Sequence, residues 1–171
     1  MFSKAVIIPT GDELAAGIVL DTDSPAIMGQ LLAVNGNAFI SRIPPVMDVE
    51  DTITSTVKKF SESGYDLIVL IGGSGGGHRF SATLGKDFTH SSLDSILEDR
   101  HEGALYGKNG HMWSKLVIGR LGNTVVFNVP GPYEEALATI KAFRQSYTDD
   151  SEDLENINKS MLSALKAKYG A

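Results

Sequence analysis

Residues able to do chemistry are concentrated in four short segments of this chain. The densest is Gly72-Gly73-Ser74-Gly75-Gly76-Gly77, five glycines and a serine in six positions, followed at once by His78 and Arg79. Glycine carries no Cβ, so backbone N–H groups in such a stretch approach an anion closely. The implied chemistry is binding of a phosphate or a comparable oxyanion, with the Ser74 hydroxyl and amide both able to donate to it. Arg79 is either the bidentate cation for that phosphate or an exposed loop arginine. His78 is either a phosphate donor or general acid, or neither. No Gly-Lys-Ser/Thr ends the stretch, so it is not a Walker A loop. A plain turn built on positive-φ residues is the competing reading. No histidine or aspartate stands at a spacing that would make Ser74 a nucleophile.

The other three segments are Thr10-Gly11-Asp12-Glu13, Val46-Met47-Asp48 and Pro130-Gly131-Pro132. Asp12 and Glu13 either hold Mg²⁺, with phosphate oxygens and waters completing its shell, or form a solvated turn. Asp48 either caps the helix that follows it or faces the site as a metal ligand or general base. Pro130-Gly131-Pro132 makes a rigid turn with exposed backbone, and Pro132 suits the first position of the next helix. A helix start aimed at the site adds about half a positive charge there. His90, His101 and His111 show no metal-ligand spacing.

These segments need a scaffold. Ala5–Pro9, Phe39–Val46 and Asp66–Ile71 read as strands, the first and third as short, continuous apolar runs of a buried sheet. Helices are expected from Asp23 or Ser24 to about Val34, ended by Asn35-Gly36-Asn37, and from Asp48 to Ser63, closed by Gly64. A short helix is expected over Ser92–Asp99. Met112–Ile118 and Thr124–Val129 form a hairpin or strand pair, with Met112, Trp113 and Phe127 in its core. Two further helices run from about Tyr133 to Tyr147 and from about Leu154 to Tyr169. Strand–helix alternation implies right-handed crossovers and a parallel sheet, and the strand pair adds antiparallel character. The four segments each follow a predicted strand and therefore converge at the carboxyl edge of the sheet, where open α/β sheets bind ligands.

At 171 residues the chain is long enough for one domain with a sizeable core. An α/β domain is expected over 1–148. The remainder, 149–171, would be a terminal helix packed on that domain or on a partner subunit. The formal net charge of −6, with no Lys/Arg run, argues against nucleic-acid binding. The absence of cysteine removes disulfides, thiolate metal sites and cysteine nucleophiles together. No apolar stretch approaches the roughly 18 residues of a membrane span, and no leader-like segment opens the chain, so a cytoplasmic protein is expected.

Thr10-Gly-Asp-Glu-Leu14 with Gly17, Asp21-Thr-Asp23, Val46-Met-Asp48, Asp66 to Gly75 and Val129-Pro-Gly-Pro132 stand together in one order and spacing. In these the chain, over roughly Val6 to Phe143, resembles the molybdopterin-binding family. That family includes the MoaB/Mog-type molybdopterin adenylyltransferases, the matching domain of the molybdenum-insertion protein and the amino-terminal domain of CinA-like proteins. The resemblance implies a three-layer α/β/α domain, mostly parallel with a mixed or antiparallel edge, often trimeric. It implies that molybdopterin is bound by its phosphate on Gly72-Gly73-Ser74-Gly75. In adenylyltransferase members Mg-ATP then donates AMP to that phosphate, and Asp48 matches a family site aspartate. The family usually shows Asp-x-Thr after the glycine loop, where Phe80-Ser-Ala82-Thr83 stands here. A phenyl ring neither binds Mg²⁺ nor accepts a proton, and Asp87, seven positions on, is too distant to substitute without a loop rearrangement. Asp23 replaces the usual asparagine. Three readings follow: a molybdopterin-binding protein capable of adenylyl transfer, a non-catalytic pterin or nucleotide binding module, and a CinA-type nucleotide pyrophosphatase.

Overall fold

The structure, a computed structural model, describes residues 1–75, 87–147 and 153–170. Its elements are β1 (Lys4–Pro9), α1 (Asp12–Ala15), α2 (Asp23–Val34), β2 (Phe39–Arg42), α3 (Glu50–Glu62), β3 (Leu67–Ile71), α4 (Thr89–Ile96), β4 (Glu98–Tyr106), β5 (Met112–Leu121), β6 (Thr124–Val129), α5 (Tyr133–Ser146) and α6 (Leu154–Lys168). Six strands form one sheet in the order β2-β1-β3-β6-β5-β4. The β2-β1-β3-β6 half is parallel, and β5 and β4 extend it antiparallel. The expected α/β class, with its antiparallel edge, is what the chain forms.

Alternation along the central strands makes the three layers. Ala5, Ile7, Leu67, Val69, Val125 and Phe127 point into one core with α2, α5 and α6. Val6, Ile8, Ile68, Leu70 and Val126 point into the other with α3 and α4. Successive strand side chains face opposite sides, so a strand buried on both faces reads as an unbroken apolar run. Helix α6 rests on this chain's own α5, β4 and β5.

Several local expectations are corrected. Strand β2 stops at Arg42, because Pro44 and Pro45 lack the N–H that a ladder needs. Val46 rejoins the sheet only through a single bridge to Thr10. Residues 12–15 form the short helix α1 rather than a turn. At the end of α2, Asn35 is extended rather than left-handed, and its side-chain amide donates to Phe2 O at 2.9 Å. Helix α3 begins at Glu50, so Asp48 is not its cap. Helix α4 begins at Thr89, three residues before the expected Ser92. Strand β4 was not anticipated: as an edge strand it exposes much of its charged sequence and presents no apolar run.

One junction positions the glycine loop. The β5–β6 ladder ends at the Ile118–Phe127 pair. Beyond it the fully buried Asn128 substitutes for the ladder, its Oδ1 accepting from Val117 N at 2.7 Å and its Nδ2 donating to Lys115 O at 3.0 Å. The Lys115 N–H donates instead to Ser74 O at 2.7 Å. Strand β5 is thus handed from β6 to the glycine loop.

Candidate functional site

The carboxyl ends of β1, β3 and β6 open onto a cleft of about 790 Å³, within the usual range for small-molecule sites. All four sequence segments contribute to its lining, through Thr10–Glu13, Asp48, Gly73–Gly75 and Gly131–Pro132. Convergence at the sheet edge, expected from topology, is what the structure shows.

Not every candidate residue presents a free group. Thr10 is buried; its N–H and its hydroxyl both donate to Ile71 O, at 2.8 and 2.9 Å, and its hydroxyl meets Thr89 Oγ1 at 2.9 Å. The Gly11 N–H is spent on Val46 O and the Gly72 N–H on Val129 O, both at 3.0 Å. Gly72 and Pro130 sit behind the cleft rather than on its surface. These residues hold the frame. Gly72, at φ +93°, has its missing Cβ position 2.9 Å from Thr10 O, so only glycine fits. By contrast the N–H groups of Gly73, Ser74 and Gly75 have no hydrogen-bond partner among the described residues, and all three residues line the cleft. Ser114 Oγ donates to Ser74 Oγ at 3.1 Å, which leaves the Ser74 proton free to donate. Three amides with no partner among the described residues and one hydroxyl, on one turn, are able to cradle an anion. His78 and Arg79 lie outside the described residues.

The carboxylates gather beside this nest. Asp12 Oδ1 accepts the Asp48 N–H at 3.0 Å, and Asp48 Oδ1 accepts from Phe88 N at 3.3 Å. Burial pushes the Asp48 carboxyl up to about 6; the Phe88 N–H opposes the shift, while Asp87, Asp12 and Glu13 add to it. Exposed Glu13 completes the acidic rim. Among the described residues no three His, Cys, Asp or Glu side chains are grouped closely enough to hold a metal ion alone. Asp12 and Asp48 are nonetheless hard oxygen donors, suited to Mg²⁺ with phosphate and water filling the remaining positions.

Asp87 was underrated from sequence. It lines the cleft, and its Oδ2 lies 2.5 Å from where a Gly75 Cβ would stand. Asp87-Phe88-Thr89 has the Asp-x-Thr spacing and stands at the start of α4. Position 80, where the resemblance implies an acid, lies outside the described residues. Asp23 lies buried at the start of α2, away from the cleft; burial and nearby Asp21 raise its carboxyl to about 6.

Sequence reading also missed an aromatic corner. Trp113, expected in the core with Met112, is half-buried and lines the cleft, as does Tyr169 just beyond α6. Their ring centroids are 4.8 Å apart. The Tyr169 hydroxyl donates to Glu135 Oε2 at 2.8 Å. Burial, together with that carboxylate, raises the phenol above its ordinary value, so it stays a donor.

Residues 6–149 match the family described as "Probable molybdopterin binding domain". The chain is 34% identical over 131 residues to the molybdenum cofactor biosynthesis bifunctional protein of Chlorobaculum tepidum, an alignment covering 75% of this chain and 41% of that protein. It therefore spans well under half of that relative. By shape it is similar to a molybdenum cofactor biosynthesis protein of Corynebacterium diphtheriae (TM-score 0.62, 18% identity, 92% of this chain and 97% of that one). The molybdopterin biosynthesis enzyme MoaB of Thermus thermophilus gives 0.57 at 21% identity, over 100% and 98%. A CinA protein of Thermoplasma acidophilum gives 0.60 at 20% identity, over 84% and 96%. At these identities the structural likenesses speak for the fold.

Proposed function

The chain belongs to the molybdopterin-binding domain family of molybdenum cofactor biosynthesis, and from that premise we propose that its cleft binds molybdopterin by the phosphate and transfers an adenylyl group to it from Mg-ATP. The observation that carries this reading is the meeting of three amides, at Gly73–Gly75, that have no partner among the described residues with the carboxylates of Asp12, Asp48 and Asp87 in one cleft.

In the transfer, an oxygen of the pterin's phosphate attacks the α-phosphorus of ATP, the bond to the bridging oxygen breaks, and pyrophosphate leaves. The attacking phosphate is already ionised, so no general base is needed. What the chain supplies is position and charge. The amides of Gly73–Gly75 and the Ser74 hydroxyl hold the nucleophilic phosphate against its own charge. Asp12 and Asp48, with Asp87 beside them, would hold Mg²⁺, which when bound would supply neutralisation of the charge developing on the phosphates. The Phe88 N–H and the Asp12–Asp48 bond fix the carboxylates before substrate arrives.

Pyrophosphate release from Mg-ATP in the presence of molybdopterin, abolished by Asp48→Ala, tests the proposal. Binding of molybdopterin without release would leave only the non-catalytic module. Hydrolysis of ADP-ribose in the same screen would mark a CinA-type pyrophosphatase instead. Failure to bind either substrate would end the reading.

A further inference from the structure

We propose that Trp113, Tyr169 and Glu135 form the subsite for the ligand's ring system, and that the ring is a fused nitrogen heterocycle carried on a phosphate. This inference rests on the cleft being a phosphate site and adds where the rest of the ligand lies.

The corner is built rather than incidental. The indole of Trp113 packs so closely on Gly107 that a Cβ there would stand 2.6 Å from its Nε1. Tyr169 stacks on it at a tilt of 35° and is pinned by its bond to Glu135. Lys168 Nζ reaches Glu134 at 3.0 Å and fastens the end of α6 to the start of α5. A rigid aromatic pair bordering a cleft offers a flat surface to another flat ring. Glu135 supplies what aromatic surface lacks. One of its oxygens takes the Tyr169 proton, and the other has no partner among the described residues. A carboxylate there accepts from ring N–H or amino groups, which pterins and purines both carry. The cleft far exceeds a phosphate in volume, and Gly131 and Pro132 line it along with the nest and this corner. Helix α6 thus completes the site as well as covering the core.

The chain contains one tryptophan, so the ¹⁵N-labelled protein gives a single indole N–H resonance that reports on this corner alone. Three probes are titrated: neopterin monophosphate, AMP, and ribose 5-phosphate as the phosphate without a ring. The indole resonance is expected to move with a ring-bearing probe and to stay in place with ribose 5-phosphate. Whichever of the two ring probes moves it identifies the heterocycle. Tyr169→Leu should weaken that probe about tenfold and leave ribose 5-phosphate unchanged, while Tyr169→Phe, which keeps the ring, retains most of the affinity. If the ring probes bind, leave the wild-type indole resonance unmoved and bind Tyr169→Leu equally well, this inference is overturned and the phosphate reading survives. If ribose 5-phosphate and both ring probes fail to bind, the phosphate reading falls and takes this one with it.

Discussion

Asp12 Oδ1 accepts the backbone N–H of Asp48 at 3.0 Å, across 36 positions of sequence. That bond ties the first residue of α1 to the loop before α3 and sets where the Asp48 carboxylate stands. Asp12→Ala should free the second loop, lowering the rate of pyrophosphate release about 10- to 100-fold. The stability loss should be only about 1 kcal/mol, since the bond is exposed. Asp12→Asn keeps an oxygen acceptor in place and should hold Asp48 while losing one negative charge. Steady-state kinetics of the two variants separates position from charge; equal losses in both would assign the effect to charge.

Asp48 is a carboxyl raised to about 6, chiefly by burial. Its folded value lies above its unfolded one, so the folded state binds more protons in between. Its contribution to stability is therefore unfavourable at neutral pH and relieved as pH falls through 6 toward 4. Asp48→Asn should stabilise the apo-protein by about 1 kcal/mol at pH 7.5, allowing for solvent screening of a half-exposed group, with the gain shrinking as pH falls below 6 and vanishing only below the ordinary carboxylate value near 4. Thermal melts of the variant and wild type across that range check it. A gain that did not depend on pH would exclude charge burial as the cause.

The two glycines flanking Ser74 should fail differently. Gly73 sits at φ +60°, and a Cβ there would overlap Thr89 Oγ1 and lie 2.7 Å from Thr89 Cβ. Gly73→Ala should cost about 2–4 kcal/mol, from left-handed backbone strain plus a clash with the first turn of α4. Gly75 has no such backbone constraint; among the described residues its new methyl would crowd the Asp87 carboxylate, the end of a side chain that can turn away, and would meet Trp113 O at an ordinary 3.7 Å. Gly75→Ala should fold with nearly full stability and lose activity by displacing Asp87. Urea unfolding and turnover measured on the same preparations test the contrast.

Asn128 is inaccessible to solvent, and its amide serves both Val117 N and Lys115 O. Asn128→Ala leaves a buried donor and a buried acceptor unmet and should destabilise by about 2–4 kcal/mol. Phosphate binding should weaken as well, because Lys115 carries the glycine loop through its bond to Ser74. Denaturation with urea, and phosphate titration well below the transition, check the two parts.

Strands β1 and β3 of the parallel half were legible because they are covered on both faces and show unbroken apolar runs at Ala5–Pro9 and Leu67–Ile71. Strand β4 was not, because a charged edge strand carries no such signature. Convergence of Asp12, Asp48, Ser74 and Gly131 followed from topology alone. What topology did not supply was which groups are already spent. Thr10 and Gly72 look like site residues by type, yet their donors close the sheet edge. Asp48 was open between a helix cap and a site residue, and the cap alternative falls because the backbone turns helical only at Glu50. Asp87 was set aside for lying seven positions beyond Phe80, whereas the fold brings its side chain to the cleft beside Gly75. Trp113 and Tyr169 were hidden for the same reason: a half-buried aromatic on a strand and another at a helix end look like core until the fold brings them to one corner.

Asp87 Oδ2 lies 2.5 Å from where a Gly75 Cβ would stand. Any side chain larger than hydrogen at position 75 therefore competes with that carboxylate for one volume, and the smallest residue in the alphabet is what lets an acid look into the cleft at all.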